Sequence, residues 1–164
     1  MKYICSLITV EDIHISRKFY GKLLQQKVKY DFGENITFEG GFAIHLKSGF
    51  SKLIDGKSIT KASNSFELYF EHDDIDAFVK DLEKRNIELV HDLREQPWGQ
   101  KVVRFYDPDK NIIEVGESME FLSFRLAKEG KTVEEISKIT VMPTNFIIES
   151  IKQMKNVWHK RKQA

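Results

Sequence analysis

Tyr3-Ile4-Cys5-Ser6-Leu7-Ile8-Thr9-Val10-Glu11-Asp12-Ile13 and Phe66-Glu67-Leu68-Tyr69-Phe70-Glu71-His72-Asp73-Asp74-Ile75 are two versions of one pattern. Each opens with alternating residues, the mark of a strand with one buried face, and ends at acidic residues placed to cap a helix. Aligning Asp12 with Asp74 puts Cys5 on Glu67. Each copy closes on a short apolar strand, Phe42-Ala43-Ile44-His45-Leu46 and Asn111-Ile112-Ile113-Glu114-Val115, which puts His45 on Glu114. A duplicated unit that repeats polar positions on apolar strands points to a site shared between the copies.

Working outward, Ile15, Phe19, Tyr20, Leu23 and Leu24 recur at helical spacing after the first strand. Strand-like pieces follow near Val28–Phe32, Asn35–Glu39 and Phe42–Lys47, with Gly40-Gly41 turning the last pair. Ser48–Ser65 is rich in Ser, Lys and Gly, lacks a period and reads as a connector. In the second copy, Asp73 or Asp74 caps a helix striped by Ile75, Phe78, Val79 and Leu82. Strands near Glu88–Asp92, Lys101–Tyr106 and Asn111–Gly116 complete it, with Asp107-Pro108-Asp109-Lys110 as a tight turn. Each copy is therefore β-α-β-β-β, over about residues 1–49 and 65–117.

The remaining residues, 118–164, read as a helical extension. Ser118–Glu129 ends at Gly130, and Thr132-Val133-Glu134-Glu135 is a capping box opening a second helix to about Ile139. A third short helix starts near Pro143.

Hydrophobic residues at 41% and charged residues at 31% fit an ordinary globular protein. No apolar run is long enough to cross a bilayer, so no membrane partner is expected. The N-terminal residues lack a signal-peptide profile and the single cysteine excludes an internal disulfide, so the expected location is cytoplasmic. Residues 1–117 hold 17 Lys+Arg and 20 Asp+Glu, while residues 118–164 hold 9 and 5, so the net +1 divides into −3 and +4.

The fullest match to a known family lies in Val10-Glu11-Asp12, Phe19-Tyr20, Phe66 to Phe70, Asp73 to Ala77, and Pro97-Trp98-Gly99 leading to Phe105-Tyr106-Asp107-Pro108-Asp109-Lys110-Asn111-Ile112-Ile113-Glu114. On these residues the chain resembles the vicinal-oxygen-chelate superfamily, which includes glyoxalase I, bleomycin-resistance proteins and extradiol dioxygenases. The resemblance covers roughly residues 3 to 117. It implies an α+β fold: two tandem βαβββ modules forming a curled mixed-sheet cup, here with C-terminal helices added.

The family's four metal-ligand positions fall on Cys5, His45, Glu67 and Glu114, where glyoxalase I carries His, Glu, His and Glu. Cys5 and Glu67 replace histidines, and His45 stands where glutamate is common. The resemblance implies a divalent ion (Zn, Ni, Mn or Fe) acting as a Lewis acid on a small oxygenated substrate. Glu114 or Glu67 would shuttle the proton, giving a glyoxalase-like lyase or isomerase. A substrate would meet Arg104, which offers a bidentate guanidinium, and an aromatic wall of Trp98, Tyr69 and Phe38.

Two alternatives use the same residues differently. In one, Cys5 is a small buried hydrophobe and the chain is a metal-free small-molecule-binding or resistance protein. In the other it is a ligand sensor: Leu126–Ile136 resembles the opening of a helix-turn-helix, and Lys152, Lys155, Lys160, Arg161 and Lys162 would meet phosphates. The short second helix and the lack of glycine in the following turn argue against that, so a nucleic-acid partner is not expected and a homodimer is.

Overall fold

The computed structural model describes residues 1–163, with side chains through Trp158. The first module runs β1 (Ser6–Val10), α1 (Ile13–Lys22), β2 (Val28–Asp31), β3 (Asn35–Phe38) and β4 (Phe42–Leu46), followed by α2 (Lys47–Leu53). The second runs β5 (Glu67–Glu71), α3 (Ile75–Lys84), β6 (Leu89–Glu95), β7 (Lys101–Tyr106) and β8 (Ile112–Gly116). Three helices follow: α4 (Met119–Lys128), α5 (Val133–Thr140) and α6 (Thr144–Gln163). Two four-stranded sheets result, ordered β1-β4-β3-β2 and β5-β8-β7-β6. In the first, β1 lies parallel to β4, and β3 is antiparallel to both β4 and β2. This is the expected α+β architecture.

The chain divides into two compact units. One comprises Met1–Glu67 with Tyr106–Ile112, and the other Leu68–Phe105 with Ile113 onward. The first is built around α1. Asp12 caps this helix by accepting from the backbone N–H of His14 and Ile15. Tyr20 then lies fully buried against Phe38 and Phe42, with ring centroids 5.8 and 5.1 Å away. Its hydroxyl donates to Asp107 Oδ2 at 2.7 Å, and burial beside that carboxylate holds the phenol well above its ordinary pKa. Asp107 Oδ1 accepts from the backbone N–H of Asp109 and Asn111, both at 2.8 Å. The tight turn at residues 107–110 is thus closed by its own first side chain and anchored to α1.

In the second unit, Asp74 caps α3, while Asp73 accepts from the Ser118 hydroxyl at 2.6 Å. Phe78 of α3 packs on Phe105 of β7. The helical extension has a core of Leu122, Leu126, Ile136 and Ile147. It also meets the β6–β7 turn: a side chain at Gly99 (φ +85°) would touch Leu122, Leu126 and Ile139. Arg125 fixes the same junction, donating to Glu117 Oε1 at 2.8 Å and to the Gly99 carbonyl at 2.6 Å. The helices therefore pack both on one another and on the second module.

Several expectations need correction. The first strand begins at Ser6, not Tyr3, because its partner β4 begins at Phe42, straight after the Gly40-Gly41 turn. Cys5 therefore lies one residue ahead of the strand. The connector 48–65 is not wholly irregular, since β4 runs directly into α2. That helix has Leu46 at its N-cap and no side-chain cap, so nothing in sequence announced it. The third C-terminal helix is 20 residues long rather than short. The side chains of Lys160, Arg161 and Lys162 lie outside the described residues.

Candidate functional site

Strand pairing decides which side chains share a sheet face, since directly opposed residues point to the same side. In the first sheet Ile8 pairs with Ile44, and Ile36 with Ile44, all buried on the face that packs against α1. The opposite face is set by Thr9↔His45↔Asn35, Leu7↔Ala43↔Thr37 and Tyr30↔Thr37. His45 occupies it half-buried, with Asn35 Nδ2 lying 3.3 Å from its Nδ1. An amide NH2 in that position donates, which leaves the proton of the neutral ring on Nε2.

Gly49 of α2 makes room for a second polar group beside His45. A Cβ there would overlap the Glu34 carboxylate and come 3.3 Å from His45 Nε2. Tyr30 and Phe32 add an exposed stacked pair on the same face, with centroids 6.0 Å apart. Neither aromatic was anticipated as a binding residue. Phe38 was, and it belongs to the other face: it is 1% exposed and stacked on Phe42 at 4.7 Å. Its surface is spent on the core beneath α1, so it offers none to a ligand.

In the second unit the face turned away from α3 carries Arg104 of β7 and Glu114 of β8. Their side chains form an ion pair, and Glu114 is only 7% exposed. The guanidinium sets its positive charge directly against the Glu114 carboxylate. Arg104 Nη1 also lies 3.4 Å from His91 Nε2, because His91 pairs with Arg104 across β6 and β7. Nothing in the linear sequence ties His91 to Arg104, 13 residues on, and only the strand pairing reveals it.

Beside this pair runs a hydrogen-bonded chain. The Trp98 indole N–H donates to Gln100 Oε1 at 2.9 Å, and Gln100 Nε2 donates to the Tyr69 hydroxyl at 3.0 Å. Tyr69 in turn donates to Glu71 Oε1 at 3.1 Å. Burial and the Glu71 charge push the Tyr69 phenol up to about 12, so it stays protonated and acts as a donor at neutral pH. Gln100 is buried and also holds the Glu117 carbonyl at 2.7 Å. It was absent from the expected site, as an isolated glutamine carries no sequence signal.

The four expected ligand positions can now be tested against the chemistry of a cation. Cys5 and His45 lie in the first unit, as does Glu67, which is exposed at the start of β5. Glu114 lies in the second, with a guanidinium already on its carboxylate. Among the described residues no group of three or more His, Cys, Asp or Glu side chains is arranged to hold a metal ion. A metal-bound carboxylate and an arginine partner compete for the same oxygens.

Residues 3–120 match the family model described as a glyoxalase-like domain. Among solved structures, a protein of unknown function from Agrobacterium tumefaciens is 43% identical, with 73% of this chain and 95% of that chain covered and a TM-score of 0.65. A lactoylglutathione lyase from the same organism is 19% identical over 71% of this chain and 93% of its own, with a TM-score of 0.57. A glyoxalase/bleomycin resistance protein/dioxygenase from Nocardioides is 18% identical over 71% and 83%, with a TM-score of 0.58. At such identities the last two speak to the fold alone. A search of curated proteins finds no match.

Proposed function

Since the chain belongs to the glyoxalase-like domain family, we propose that it binds a small, flat, oxygen-bearing molecule without a resident metal ion. The ion pair between Arg104 and Glu114 carries this reading: the carboxylate that a metal would need is neutralised by a fixed cation. Arg104, half-exposed, is the group to receive a carboxylate or enolate oxygen from the ligand. Tyr69 donates a hydrogen bond from its protonated phenol, and the Trp98 ring supplies an apolar wall. On the first sheet, Tyr30 and Phe32 offer the same kind of wall beside His45 and Asn35. The expected homodimer belongs to the same proposal, and sedimentation at micromolar concentration tests it.

The finer reading, a metal-dependent lyase of the lactoylglutathione type, rests on the matching strand positions of His45 and Glu114. It requires Glu114 to release Arg104. Metal analysis of protein purified without chelator, beside His45→Ala and Glu114→Gln, separates the two. The metal-free reading expects the same trace content in all three, before and after reconstitution. One equivalent of metal per chain, lost in both variants, overturns it in favour of the lyase.

A further inference from the structure

The helical extension holds a groove that neither sheet face uses. It is a solvent-open hollow of about 230 Å³ between α4 and α6, lined by Phe121, Phe124, Arg125, Lys128, Glu129 and Trp158. Its walls are rings: Phe121 and Phe124 stand 6.3 Å apart, and Phe124 and Trp158 stand 6.0 Å apart.

The charges at its lip are not equivalent. Arg125 is saturated from within, donating to Glu117 through Nε and Nη2, to Glu129 through Nη1 at 2.8 Å, and to the Gly99 carbonyl. It is a strut that also consumes the Glu129 carboxylate. Lys128 has no carboxylate partner among the described residues. Its ammonium instead lies 4.4 Å from the Trp158 ring centroid and 5.6 Å from that of Phe124. Among the described residues, the groove thus joins three aromatic rings to a cation without a carboxylate partner, while its lining acid, Glu129, is already paired.

We propose that this groove is a second ligand site, selective for a flat aromatic carboxylate. The ring system would lie among Phe121, Phe124 and Trp158, and the carboxylate would take the Lys128 ammonium. The site lies on the appended helices, apart from the sheet-face residues Arg104 and Tyr69, so the two readings can fail separately.

The test uses the full chain and two matched probes, 2-naphthoate and neutral 2-naphthylmethanol, titrated by calorimetry. Lys128 is exposed enough to change without disturbing the core, so Lys128→Met keeps the fold. Wild type is expected to bind the acid about tenfold more tightly than the alcohol, as a charge-assisted contact allows. Arg104→Met, which removes the carboxylate acceptor of the sheet face, should preserve an acid preference, and Lys128→Met added to it should erase that preference and leave the alcohol unchanged. Undetectable naphthoate binding at millimolar concentration overturns the proposal. So does an acid preference that survives in the double variant, or one that disappears in Arg104→Met alone.

Discussion

His45 and Glu114 stand at equivalent positions on the closing strands of two equivalent modules, yet their surroundings have opposite chemistry. His45 is half-buried beside a neutral amide, with the Phe50 ring at 5.8 Å. Glu114 is nearly enclosed and bears a guanidinium. Duplication copied the backbone that presents each side chain. It did not copy the neighbour that sets its charge, because that neighbour comes from an adjacent strand free to diverge. The lesson is that a repeated polar position marks a place, not a role.

The strongest way to break this comparison is to remove each residue and weigh the result. Glu114→Leu removes the buried carboxylate paired with Arg104 and should lower the unfolding free energy by about 3 kcal/mol. His45→Ala removes one partly exposed hydrogen bond and should cost about 1 kcal/mol or less. Urea denaturation measures both. The double variant Glu114→Leu/Arg104→Met should recover most of the first loss, and equal losses in the two single variants would mean the faces do not differ as described.

A second contrast sets the anchored turn against the open faces. Tyr20→Phe strips the donor from the buried Asp107 carboxylate and should cost about 2 kcal/mol. The same measurement on Tyr69→Phe, at a half-exposed phenol, should show about half of that.

In the opposite direction, Val141 sits between α5 and α6 at φ +59°, a region costly for a β-branched residue, and is 87% exposed. Val141→Gly should raise stability by about 1 kcal/mol, read as a higher melting temperature.

The smallest effect is one of pH and concerns only the first unit. Burial raises the Asp109 carboxyl above its ordinary range, despite its bond from the Glu11 backbone N–H. The folded state therefore holds that proton more tightly than the unfolded chain does. Stability should fall as pH rises from about 4 through the folded pKa. Asp109→Asn should flatten that part of the profile relative to wild type, and parallel profiles would show that the group titrates alike in both states.

Much of the scaffold was legible. Alternation exposed both modules, Asp12 and Thr132 announced their helices, and the Asp107–Lys110 turn formed where proline and aspartate favour it. Legibility failed where the cause was not local. The helix α2 has no capping residue and simply continues a strand, so composition described it as loop. Phe38 and Tyr30 could not be sorted by aromaticity, because the pairing shifts register between Val28 and Tyr30. That shift sets Tyr30 opposite Thr37 and so on the face away from α1, while Phe38 follows Ile36 onto the α1 side.

The sequence by itself determined the repeated βαβββ unit, the polar positions it carries twice and the helices appended to it. These follow from periodicity and capping, which act over a few residues. Only the tertiary structure decided that Arg104 pairs with Glu114, that His91 lies against Arg104, and that Lys128 meets rings rather than a carboxylate among the described residues. Each depends on which strand or helix lies alongside, and electrostatic partnership across elements leaves no trace in linear spacing.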